Sequence, residues 1–190
     1  MNRILLLACM VLVGLSSGCA VKQPVMANLH LAITAQPPVY GNASAFIQGH
    51  DSRAEEAVIV YLVSDQPPTM VANMSPPHIL ATERLAGGFR DQGLTFASES
   101  TVRILLDITE LLVTVTKPKF LYNAEAKTRV TLKVVKGGTS LAKKYDREAT
   151  KEFAQRPDIG KAETMLNEQL SDIINQMLKD EDIRNAILAE

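Results

Sequence analysis

Apolar and polar residues alternate strictly along part of this chain and recur every three to four residues along others. The clearest alternation runs from Tyr122 to Val134. Tyr122, Ala124, Ala126, Thr128, Val130, Leu132 and Val134 share one face, and Asn123, Glu125, Lys127, Arg129, Thr131 and Lys133 share the other. That period predicts a strand of roughly 40 Å, half buried along its length. Gly137-Gly138 follows as a two-residue hairpin turn. Pairing Lys136 with Thr139 then sets Leu141 opposite Val134, Lys143 opposite Leu132 and Tyr145 opposite Val130, with the return strand running on towards Phe153.

Upstream, residues 101–116 fit two templates. Ile104, Leu105, Ile108, Leu111, Leu112 and Val115 suit a helix, yet β-branched residues occur throughout and the stretch ends Val113-Thr114-Val115-Thr116. As a strand, its apolar residues sit at even positions up to Ile108 and at odd positions from Leu111. An extra residue in a strand swaps its faces in this way, so a long strand with a bulge near Thr109-Glu110 is the reading adopted. Leu29, Leu31 and Ile33 alternate with His30, Ala32 and Thr34 as a half-buried strand would. Ala45 to Gln48 is a second short strand, and Ala57 to Val63 a third, apolar enough to be buried on both faces.

Two segments have helical spacing. Ser75-Pro76 marks a start, Ile79, Thr82, Leu85, Ala86 and Phe89 fall on one face, and Gly93 stands as a cap after Arg90-Asp91-Gln92. Gly87-Gly88 inside this helix points to close approach to the sheet. Asp158 opens the last long helix, with Ile159, Ala162, Leu166, Leu170, Ile173, Ile174 and Met177 as its core stripe and Asn167, Glu168, Asp172 and Lys179 facing water. A short helical tail carries Ile183, Ile187 and Leu188. The order predicts an α+β domain: a mainly antiparallel sheet with long strands and two principal helices packed on one face.

The N-terminus has a different grammar. Arg3 precedes the apolar run Ile4 to Leu15, which is too short for the roughly 20 residues that span a hydrocarbon core. Ser16-Ser17-Gly18-Cys19 then reads as a lipoprotein cleavage site, although Ser16 stands where a lipobox usually has Leu. The expected division is a signal peptide over 1–18, lipid on Cys19, a tether over 19–28 and one domain over 29–190. Cys9 leaves with the signal, so no disulfide can form within the mature chain. Ala20, in place of the Asp that retains such proteins at the inner membrane, favours an outer-membrane anchor with the domain facing the periplasm.

Composition removes several classes. The 190-residue chain carries a formal net charge of -1 and no Trp. No basic stripe for nucleic acid and no polybasic patch for anionic lipid stand out. His30, His50 and His78 are not spaced as metal ligands, and no cofactor fingerprint is present, so no metal or cofactor is expected. Asp51 and Arg53 are the first candidate site: a turn in which Asp51 accepts backbone N–H groups, or a fork that recognises a carboxylate or phosphate. Lys127, Arg129, Lys143, Lys144 and Arg147 cluster about one hairpin, as a solvated sheet face or a surface for an acidic partner. Asp107 and Glu110 are too dispersed for a general acid/base pair.

The lipidation signal, Gly49-x-Asp51-x-Arg53, Arg90-Asp91-Gln92-Gly93, Tyr122-Asn123-x-x-x-Lys127, Lys144-Tyr145 with Arg147, and Asp182-Ile183 occur here in an order that resembles the YajG-type family of small bacterial lipoproteins. The resemblance implies an outer-membrane lipoprotein and supplies no catalytic residue. The expected function is a non-catalytic binding or assembly module. Lys127, Lys144, Arg147, Asp51 and Arg53 are its candidate contacts, and an envelope protein, peptidoglycan or lipid is its partner. The alternative is an envelope hydrolase acting on a cell-wall or lipid substrate.

Overall fold

A computed structural model describes residues 25–63 and 67–189. The signal peptide, Cys19 and Ala20–Pro24 lie outside the described residues. The elements in order are β1 (Ser44–Asp51), β2 (Ala57–Leu62), β3 (Thr69–Ala72), α1 (Pro77–Asp91), β4 (Thr95–Phe96), β5 (Val102–Thr116), β6 (Tyr122–Lys136), β7 (Thr139–Phe153), α2 (Ile159–Lys179) and α3 (Glu181–Leu188).

β5, β6 and β7 form a long antiparallel meander. Lys136 pairs with Thr139, and Leu141, Lys143 and Tyr145 lie opposite Val134, Leu132 and Val130, as the turn at Gly137-Gly138 requires. Gly137 has φ +57, a conformation open to glycine. The β5–β6 register slips between Ile108 and Glu110, so Thr109 is the extra residue of the expected bulge. Burial confirms the swap of faces. Val102, Ile104, Leu106 and Ile108 are buried before the bulge, and Leu111, Val113 and Val115 after it.

The sheet is mixed, which corrects the expectation of a mainly antiparallel one. The first half of the other edge of β5 pairs in parallel with β1, from Phe46–Arg103 to Asp51–Ile108. Its second half pairs in parallel with β2, from Ile59–Val113 to Leu62–Thr116. β4 also runs parallel to β1. Two strands thus share one edge of β5 end to end. The reason lies in connectivity: β3 and α1 intervene before β5, and such a crossover returns the chain in the direction in which it left.

The segment before β1 is a second correction. Leu29 and Leu31 are buried as the alternation predicts, but beyond the single bridge of Ala27 to Asn73 at the end of β3 residues 28–34 pair with no strand. It lies along α2 instead. The backbone N–H groups of Asn28, His30, Ala32 and Thr34 donate to Glu163 Oε1 (2.7 Å), Asn167 Oδ1 (2.8 Å), Ser171 Oγ (3.0 Å) and Asn175 Oδ1 (2.8 Å). Asn175 Nδ2 returns a bond to the carbonyl of Ala32 at 3.1 Å. Two residues of extended chain advance about 6.6 Å and four residues of helix about 6 Å, so every second amide meets every fourth side chain. The helix presents a ladder of acceptors where a sheet would present carbonyls. Asn167 therefore does not simply face water.

Helix α1 also differs in detail from its sequence signals. It starts at Pro77, and Pro76 holds the N-cap position without a side-chain cap bond, so Ser75 does not cap it. Ile79 is exposed, whereas Ala81, Leu85, Ala86, Gly88 and Phe89 form the buried stripe. Gly93 follows the helix at φ +92, as its cap role requires. Gly88 does approach a neighbour closely, but that neighbour is Leu178 of α2; the space beside Gly87 is open. Close contact between α1 and the sheet occurs at Gly49, where a Cβ would come within 2.9 Å of the His78 carbonyl. α2 starts as expected, with Asp158 accepting from the Lys161 N–H at 2.9 Å.

Candidate functional site

Asp51 ends β1 at the point where the chain leaves β5, and Arg53 lies in the short excursion before β2. The chain must turn out here, because the bulge at Thr109 separates the two halves of the β5 edge. The Arg53 guanidinium clasps Asp51 through Nε–Oδ1 and Nη2–Oδ2, each at 2.9 Å, and the Arg53 N–H adds a bond to Oδ1 at 3.2 Å. Nη1 reaches the carbonyl of Ala57 at 3.3 Å. The Arg53 side chain is only 7% exposed. The fork is thus spent on the turn itself, and it brackets the exit of β1 to the entry of β2.

His78, in the first turn of α1, brings Nδ1 to 3.8 Å from Asp51 Oδ2. Nδ1 has no hydrogen-bond partner and is buried. Asp51, Arg53 and His78 line a cleft of about 360 Å³ with Asn73, Met74 and Pro76. Partial burial disfavours the Asp51 anion, but the hydrogen bonds and charge of Arg53 outweigh it and hold the carboxyl below its ordinary value.

The basic residues of the hairpin do not form one surface. Lys127, Arg129 and Lys144 lie on one face of the β6–β7 ribbon, and Lys143 and Arg147 on the other. Lys127 pairs with Glu125 at 2.8 Å, and Arg129 with Glu110 at 3.0 Å and Asp146 at 2.6 Å. Lys144 is exposed opposite Thr131. Arg147 donates to Gln176 of α2 at 2.7 Å. Lys143 bonds Asp180 and Asp182 at the junction of α2 and α3. The even spacing of Lys143 and Arg147, against the odd offset to Lys144, already implies this division in a strand.

Asp180 is a hub that sequence reasoning missed. Its side chain caps α3 by accepting from Asp182 N–H (3.0 Å) and Ile183 N–H (3.3 Å), and it takes the Tyr145 hydroxyl at 2.9 Å as well as Lys143. Burial opposes its ionisation, and the bonds from Lys143, Tyr145 and the Ile183 backbone reverse that, so its carboxyl also lies below its ordinary value. Burial and the hydrogen bond to Asp180 push the Tyr145 hydroxyl far above its own. Gln169 is another missed polar residue. It accepts from Thr128 Oγ1 at 2.7 Å and donates to the Ala126 carbonyl at 3.1 Å, joining α2 to the middle of β6.

The two depressed carboxylates predict a pH dependence. Their ionised forms are favoured by the fold, so their stabilisation is present above the unfolded carboxylate value of about 3.9 and is lost as pH falls through the folded values. Asp51→Asn and Asp180→Asn should each lower the melting temperature at neutral pH and flatten its fall in acid. Parallel acid limbs for variants and parent in a pH series of thermal melts would contradict both assignments.

Among the described residues no group of three or more His, Cys, Asp and Glu is placed to hold a metal ion, and no helix is long and apolar enough to cross a membrane. The geometry is therefore that of a small α+β domain whose charged side chains tie elements together. The chain belongs to the Lipoprotein_16 family of uncharacterised, YajG-type lipoproteins, whose model matches residues 31–188. Family membership implies that the protein is held to a membrane by lipid. No curated protein sequence matches the chain. Among solved structures it is similar to protein XCC0632 of Xanthomonas campestris, of family DUF330, with TM-score 0.56 and 10% identity over 81% of this chain and 92% of that one. It is less similar to PelC, a dodecamer from Paraburkholderia phytofirmans, with TM-score 0.37 and 10% identity over 76% of this chain and 94% of that one. At such identities the first likeness speaks for the fold alone.

Proposed function

We propose that this lipoprotein is held at the periplasmic face of the outer membrane by lipid on Cys19, and that its domain acts there as a non-catalytic binding or assembly module. The observation that carries this reading is the use made of the chemically capable side chains. Asp51 with Arg53, and Asp180 with Lys143 and Tyr145, carry perturbed or saturated charges, and each cluster is closed on itself as a bracket between elements. A catalytic carboxylate needs its proton-transfer position turned to a substrate; here both oxygens of Asp51 and of Asp180 already accept from the protein's own donors, although Asp51 also borders the cleft with His78. The partner is an envelope component, whether protein, peptidoglycan or lipid.

Cys19→Ala should lose lipid labelling and lipoprotein processing and should leave the outer-membrane fraction. A variant processed and sorted like its parent would remove the anchor. The mature protein should leave peptidoglycan fragments, phospholipids and peptides unchanged over long incubation. Turnover that disappears in folded Asp51→Asn would make the protein a hydrolase, since one lost acid/base group costs about 10²–10⁴-fold in rate.

A further inference from the structure

One end of the domain gathers Val25, Leu62, Met70, Phe120 and Leu121 from the exposed apolar side chains, whereas Met74, Ile79 and Leu188 lie elsewhere. Register links place Thr69 beside Tyr61, Leu62 beside Thr116, Thr116 beside Asn123, and Tyr122 beside Phe153, so a single row crosses the sheet at this end. Beyond the row, the β5–β6 loop projects with Phe120 at 90% exposure and Leu121 at 44%. Leu62 and Met70 are exposed nearby at 45% and 54%. The described chain begins at this same end. Val25, 63% exposed, lines a cleft with Tyr61, Met70, Arg156 and Ile159.

Cations surround the apolar tip. Lys117 lies 5.0 Å over the Tyr122 ring, Arg156 4.2 Å over Tyr61 and Lys161 5.7 Å over Phe153. Lys119 is exposed beside Phe120. Among the described residues, Glu152 and Asp158 are exposed carboxylates of the same rim. The rings hold the charged heads themselves at the rim.

We propose that this end of the domain docks directly on the phospholipid surface, with Phe120 and Leu121 among the acyl chains and Lys117, Lys119, Arg156 and Lys161 at the level of the phosphates. The inference rests on the lipid-anchored reading above. Only Ala20–Pro24 separate Cys19 from Val25. At 3.3–3.6 Å per residue the anchor cannot lie further than about 22 Å from Val25. A tether that short keeps this end, and not the opposite one, at the membrane and raises the effective concentration of lipid before it. An apolar loop ringed by cations is the surface that a headgroup layer accepts, its apolar part entering about 5–10 Å. Membrane contact then explains why Phe120 is left 90% exposed.

The chain contains no Trp, so Phe120→Trp supplies a single fluorescent reporter at a position the fold does not use. Leu188→Trp supplies the control at the opposite end, where α3 closes on Lys136 beside the Gly137-Gly138 turn. Each is studied as the mature acylated full chain in vesicles of phosphatidylethanolamine and phosphatidylglycerol bearing brominated acyl chains. The indole of the Phe120→Trp variant should shift to the blue and lose most of its emission. The indole of the Leu188→Trp variant should keep the emission it has without bromine. Protein that floats with the vesicles but leaves the loop indole unquenched overturns the docking and leaves the anchor standing. Quenching in both variants overturns the assigned orientation. Failure of the unsubstituted acylated protein to float would sink the anchor and this inference together.

Discussion

Leu170→Ala is expected to lower the unfolding free energy by about 2–5 kcal/mol. Leu170 sits in the middle of α2, fully buried, one residue after Gln169 and three before Ile173. Its neighbours on the stripe, Leu166, Ile173, Ile174 and Met177, are fully buried too. The helix cannot settle into the vacated space, because Gln169 fixes the height of α2 against β6 through Thr128 and the Ala126 carbonyl. The cavity therefore stays largely open, and the cost belongs to the upper part of that range. Chemical denaturation with an unchanged slope and a lowered midpoint is the expected readout. A change below about 0.5 kcal/mol would place this stripe on the surface. Ile159, at the helix start and only partly buried, provides the internal comparison: truncation there should cost less.

The stripe around Leu170 was legible because a 3.6 period and a hydrophobic core leave the same trace in a sequence. The β5–β7 meander was legible for the corresponding reason at period 2, and the bulge at Thr109 stood out as a break in phase. What the period does not encode is who lies beside whom. The parallel pairing of β1 and β2 with β5 depends on the crossover through α1, and the helix between the two apolar runs was the available clue. β3 and β4 contain 4 and 2 residues and are too short to show a period. At the candidate site, Asp51 and Arg53 stood in the sequence as a turn pair, which they are. Asp180 did not stand out, because its partners Lys143 and Tyr145 lie far away along the chain. The Phe120 loop reads as a bare Lys-Pro-Lys-Phe string until the strand registers place it beside the N-terminus.

Asn167→Ala with Ser171→Ala should cost about 1–3 kcal/mol, the sum of two hydrogen bonds that water can partly replace at His30 and Ala32. Ser171 is buried but Ala32 beside it is exposed, so water would take over part of the lost bond there. The alternation of residues 29–34 predicts a strand, and a strand paired within the sheet would make this pair of substitutions almost silent. The ladder makes the opposite statement, and amide hydrogen exchange separates the two. Protection should fall at Asn28, His30, Ala32 and Thr34 together, and remain at Val130 and Leu132 in the sheet. Unchanged protection at the four alternate amides would show that the segment is held by the burial of Leu29 and Leu31 and the bonds of Ala27 and Leu29 to the end of β3, not by the ladder. The ladder does not set the length of the tether, because Ala27 ahead of it is held separately: its N–H donates to the Ala72 carbonyl at 2.8 Å and its own carbonyl accepts from the Met74 N–H at 2.7 Å. In the anchored protein carrying Phe120→Trp, the double substitution should therefore leave the quenching of the loop indole by brominated lipid and flotation with the vesicles both unchanged.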